Sequence, residues 1–129
     1  MPVGTNLDDT DRFDLKSAPP DGYVVLQRMS YGDKLARQAM VSKMQVLTSK
    51  GSKDVKAELD MMSRQTALFD FARCIVEHNL TDANDRLLDF KNSRDVEALN
   101  GRIGEEINLY IDRLNNFEEE DESNPEGNS

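Results

Sequence analysis

Asp70, Cys74 and His78 fall at i, i+4 and i+8 of one helical pattern. Side chains four apart on a helix converge, so this trio offers metal-ligand chemistry. Three ligands in a line do not make a tetrahedron, and the chain holds no second Cys or His to complete one. The plainer reading is a buried thiol beside a histidine that caps the last carbonyls of the helix. Cys74 as a nucleophile with His78 as base needs an exposed, electropositive setting and an oxyanion donor; no Gly-rich turn stands behind the cysteine. Asp82-Ala83-Asn84-Asp85-Arg86 opens like a calcium loop but lacks the central Gly and the distal Glu. With no phosphate loop or dinucleotide motif either, the expectation is a protein that is not an enzyme, with no catalytic residue, no cofactor and no metal.

The elements that position these residues follow from periodicity. Asp54 to His78 reads as one long helix, broadly apolar from Thr66 to Val76, as a central helix covered on two sides would be. Before it, Asp21-Gly22 makes a turn, Tyr23 to Arg28 favours a strand, and Ser30 with Asp33 opens a helix from about Tyr31 to Leu47. On that helix Tyr31, Leu35, Ala39, Ser42 and Val46 fall at helical spacing, and Met40, Met44 and Leu47 widen the apolar face. Phe13 to Lys16 reads as a short strand paired with Tyr23–Arg28 across a Pro-rich turn. Leu87 to Phe90 reads as a short extended return. A brief helix follows Asn92-Ser93, Asn100-Gly101 breaks it, and an amphipathic helix runs from about Arg102 to Phe117. The expected fold is mainly α: three to four helices with a short N-terminal β-ribbon. Residues 1–11 read as a flexible start, 12–117 as one domain and 118–129 as a disordered acidic tail.

Charge narrows the partners. The net charge is −9, which disfavours nucleic acid and anionic membrane. It is uneven: −3 over residues 1–22, +5 over 23–56 and −11 over 57–129. A basic middle and an acidic end hint at self-association. One cysteine excludes an internal disulfide and suits a reducing compartment, and no signal peptide or transmembrane run is visible. Hydrophobic residues make up 37% of the chain, so the core is thin and partner burial supplements it.

Several stretches, in order, resemble the tail assembly chaperones of long-tailed phages. They are Phe13-Asp14-Leu15-Lys16, Pro19 through Leu26, Met29-Ser30-Tyr31-Gly32, Cys74 through Leu80, Leu88-Asp89-Phe90, and Arg102 through Ile107 ending in Leu114-Asn115-Asn116-Phe117 with acids after. Together they cover most of residues 13–120. The resemblance implies a small, mostly helical, non-catalytic protein of the host cytoplasm. It would bind the tape measure protein, recruit tail tube protein during tail morphogenesis, and be missing from the mature virion. Such chaperones often have a longer form made by a programmed frameshift, and Glu126-Gly127-Asn128 is compatible with a slippery codon set. A structural head–tail or tail-completion protein retained in the virion, and an acidic host-directed adaptor, are the alternatives. A client helix needs an apolar stripe. The expected partner-binding positions are Met61, Leu68, Phe71, Ile107, Tyr110 and Ile111, each weighed against a simple core role.

Overall fold

A computed structural model describes residues 2–5, 9–50 and 53–117. The order of elements is β1 (Thr10–Asp14), β2 (Tyr23–Gln27), α1 (Tyr31–Lys50), α2 (Lys53–Cys74), β3 (Ile75–His78), α3 (Ser93–Ala98) and α4 (Gly101–Asn115). Among the described residues the fold is thus mixed, four helices with a three-stranded antiparallel sheet ordered β1-β2-β3. The expected ribbon is present as β1 and β2, and β1 begins two residues before the expected domain start. The expected tail, residues 118–129, lies outside the described residues.

The long helix ends earlier than its periodicity suggests. Residues 75–78 form β3, not the last turn of α2. Ile75 and Val76 are β-branched, and β2 offers them a free edge to pair with. Val24 pairs His78, Val25 pairs Glu77, and Leu26 pairs Ile75, so Val76 is an extra residue, a bulge. No loop separates α2 from β3.

Alternation along β2 decides which face is covered. Val24 and Leu26 are fully buried, while Tyr23, Val25 and Gln27 are half-buried on the other face. α4 packs against the inner face through Ile107 and Ile111, also fully buried. Burying each such side chain contributes about 1.5–3 kcal/mol. Leu15, Met29, Phe71, Cys74, Phe90, Leu114 and Phe117 belong to the same core. At one end Asn100 accepts from the amides of Arg102 and Ile103, and at the other Asn116 closes α4 in a left-handed conformation at φ 59°.

Two carboxylates fasten loops to this body. Glu106 accepts from the backbone N–H of Lys16 (2.8 Å) and Ser17 (2.9 Å), from the Ser17 hydroxyl and from the Tyr110 hydroxyl (2.7 Å). Burial pushes this carboxyl up, but the four donors outweigh it and hold it down at about 2. Asp95 accepts from both terminal nitrogens of Arg86 and from the Asp89 amide, which sets the 79–92 loop; these bonds lower its pKa. No helix among the described residues is long and apolar enough to cross a membrane.

Candidate functional site: an outward helical face on the α1–α2 hairpin

α1 and α2 pack against each other as a hairpin of two helices, each roughly 30 Å long. Among the described residues, none from α1 enters the core cluster, and α2 contributes Phe71 and Cys74 in full and Phe69 in part. The rest of the hairpin is held by its own seam. Met40, Met44 and Leu47 on α1 are half-buried, as are Leu59 and Met62 on α2, with Val55 and Thr66 buried. These positions repeat at about every 3.5 residues, the period of a two-helix coiled seam. The Thr66 hydroxyl donates to the Met62 carbonyl and lies 3.8 Å from Met40 sulfur.

The base of the hairpin is charged and buried. Arg37 Nε lies 3.1 and 3.2 Å from the two carboxylate oxygens of Asp70. Its guanidinium carbon sits 3.6 Å from the centre of the Phe117 ring, a cation–π contact. One arginine therefore joins α1, α2 and the end of α4. Arg73 and Asp33 form a second, looser pair at 3.8 Å. Buried Asn115 accepts from the Met29 amide and donates to the Ile111 carbonyl, fixing where the chain enters α1.

Only part of the expected apolar face of α1 is covered, Met40, Met44 and Leu47. The stripe Tyr31, Leu35, Ala39, Ser42 and Val46 points outward, with Tyr31 78%, Leu35 46% and Val46 58% exposed. The flanking methionines make the seam instead. Two apolar stripes nearly opposite one another both match a helical period, and only the one in register with Val55, Leu59 and Met62 is covered. That continuity across the hairpin was the available signal.

The expected partner-binding residues divide. Phe71, Ile107 and Ile111 lie in the core, at 4% exposure or less. Tyr110 is half-buried, stacked on Phe13 at 4.7 Å and bonded to Glu106. Leu68 is half-buried and Met61 is 54% exposed, both on α2. Of the six, Met61 and Leu68 are therefore the two outside the core and its Glu106 contacts; the exposed large apolar side chains among the described residues also include Tyr31, Leu35 and Val46 on α1 and Val76, Leu87 and Leu109 elsewhere.

Asp70, Cys74 and His78 do not share a face, because the helix stops at Cys74. Asp70 is bound to Arg37 and His78 sits on β3. Among the described residues no cluster of three His, Cys, Asp or Glu side chains is arranged to hold a metal. Burial, with Asp70 nearby, pushes the Cys74 thiol up to about 12, and Asn115 bonds its sulfur. Both His78 ring nitrogens are engaged: Nδ1 accepts from the Leu80 amide, so Nε2 carries the proton and donates to the Leu88 carbonyl at 2.8 Å. Burial lowers its pKa. A cleft of about 320 Å³ opens beside it, lined by Ala72, Val76, Leu88 and Phe90 among others. Compared with protein-family models, curated proteins and solved structures, the chain matches none.

Proposed function

We propose that this chain is a non-catalytic phage tail assembly chaperone. It binds the tape measure protein along the α1–α2 hairpin, keeps that helical client soluble, helps recruit tail tube protein, and stays in the host cytoplasm when the virion leaves. The observation that carries the reading is the exposed apolar stripe of α1, on a hairpin whose α1, among the described residues, adds no side chain to the core. A helix that stabilises its own fold buries its apolar face; one that keeps a second apolar face in water has a helix to receive. The ordered sequence resemblance over residues 13–120 supplies the client's identity.

Co-expression with the tape measure protein of the same genome tests this. The chain is expected to keep the client soluble and to co-purify with it. Leu35→Asp with Met61→Asp, at exposed positions, should abolish co-purification with circular dichroism unchanged. Undiminished capture by that double variant rejects the hairpin as the binding surface, and an insoluble client beside the intact chain rejects the function.

A further inference from the structure

We infer that His78 is an acid-operated latch: a proton taken up at Nδ1 releases the Leu80 amide and lets the Leu80 side chain leave the core. The latch stands apart from the client-binding reading of the hairpin. His78 ties the end of β3 to the loop after it through both ring nitrogens. Nδ1 accepts from the Leu80 amide at 3.0 Å, and Nε2 donates to the Leu88 carbonyl at 2.8 Å. The Leu88 amide in turn donates to the Leu80 carbonyl at 3.0 Å, and Thr81 bridges to Leu87 beyond it. An imidazolium has a proton on each nitrogen and no acceptor. Its Nδ1–H would meet the Leu80 N–H, donor against donor, while the Nε2 bond to Leu88 strengthens. One side of the loop neck is released and the other is kept.

Fixed points on either side make the release local. Asn79 accepts from the Tyr23 amide and donates to the Asp21 carbonyl, which holds it to the β1–β2 turn. Arg86 is paired with Asp82 and with Asp95. The Arg86 and Asn84 amides lower the Asp82 pKa, and the Arg86 side chain with the Asp89 amide lowers that of Asp95. Both carboxylates therefore stay ionised where an imidazole takes up its proton. Leu80 between these points is 8% exposed and belongs to the core, so its release puts an apolar side chain into water. The cleft of about 320 Å³ beside His78 gives water access to the ring. Asp89 and Lys91 are the charged residues lining it, and α2 and β2 contribute Ala72 and Gln27, which carry no charge. Glu77, next to His78 on β3, is bonded to the Tyr23 hydroxyl at 2.6 Å. Burial lowers the ring's pKa, and the Leu88 carbonyl and the Asp89 carboxylate raise it in part.

The chain has one histidine, so nuclear magnetic resonance of the full chain follows a single ring from about pH 7.5 to about 4.5. Leu80 should lose protection from amide exchange by about tenfold as the ring protonates, after correction for the intrinsic rate, and Leu88 should follow. By linkage, each pH unit by which the closed ring titrates below about 6.5 corresponds to about a tenfold rise in opening once it is protonated. The amides of Arg86, Asp89, Ile107 and Ile111 should keep their protection. His78→Asn leaves an acceptor where Nδ1 stood and nothing that titrates, and should hold Leu80 closed across the range. Unchanged Leu80 protection while the ring titrates overturns the inference, as does a ring that stays neutral throughout. Equal loss at Leu80, Ile107 and Ile111 overturns it too, since acid would then unfold the whole domain. Opening that persists in folded His78→Asn assigns the effect to carboxylates and sinks the latch. If that variant fails to fold, the match between ring titration and Leu80 protection in the unaltered chain decides alone.

Discussion

Replacing Asp70 by Asn removes one charge from the base of the hairpin and almost no volume. Asp70 is 2% exposed and the Arg37 side chain 12%, so water does not replace the lost carboxylate in place. Losing a hydrogen bond to a charged group costs about 1.5–3 kcal/mol. Leaving one member of a buried pair uncompensated raises that to about 3–5 kcal/mol. The Phe117 ring still faces the guanidinium and offsets part of the loss, by about 0.5–2 kcal/mol. The expected destabilisation is about 3 kcal/mol, a fall in Tm on the order of 10 °C for a chain of this size. Urea unfolding followed by circular dichroism measures it. Adding Arg37→Met removes the guanidinium that faced the carboxylate and should recover about 1–2 kcal/mol. A loss under about 1 kcal/mol for Asp70→Asn, or no recovery in the double variant, refutes the view that this pair holds the hairpin to the body.

Three further outcomes are expected. Because the fold lowers the His78 pKa, the unfolded chain binds the proton more readily. The stability from neutral His78 is complete above the unfolded value of about 6.5 and is lost as pH falls below it, so the urea midpoint should drop between about pH 7.5 and 5, and His78→Gln should flatten that drop. Glu106 is held down at about 2, so its contribution is present above its ordinary value and disappears as pH falls from there through about 2; Glu106→Gln should cost about 1–2 kcal/mol and raise hydrogen exchange at the Lys16 and Ser17 amides first. A Cβ added at Gly22 would stand 2.5 Å from the Ala18 carbonyl oxygen, so Gly22→Ala should destabilise by about 1–3 kcal/mol in the same unfolding assay, with shift changes centred on the β1–β2 turn.

What the sequence discloses tracks how local the cause is. β2 and α4 are legible because their alternation and 3.6-residue stripe match the faces they bury. The Ser30 and Asn92 caps are legible for the same reason, since each bonds within three residues, while Asn100, read as a break, proves to cap α4. β3 is not: Ile75 and Val76 continue a helical stripe as well as they begin a strand, and only the vacant edge of β2 decides between them. α1 is legible as a helix but not as to its face, because the choice between its two stripes depends on α2. The candidate surface was therefore half visible, with Met61 and Leu68 expected as partner positions and Leu35 and Val46 read only as part of a broad apolar face. Glu106 and Arg37 act across 89 and 33 residues of chain, a separation no local pattern records.

That no α1 side chain joins the core among the described residues has a consequence for how the protein changes over generations. A seam that repeats every seven residues is indifferent to how many repeats it contains. Seven residues removed from each arm, opposite one another, would shorten the hairpin by about 10 Å and leave the sheet, α4 and the Arg37–Asp70 pair in register. The reach of the arm is thereby uncoupled from the stability of the body. Length can drift with whatever the arm must span, while the sequence of the body stays under a separate constraint.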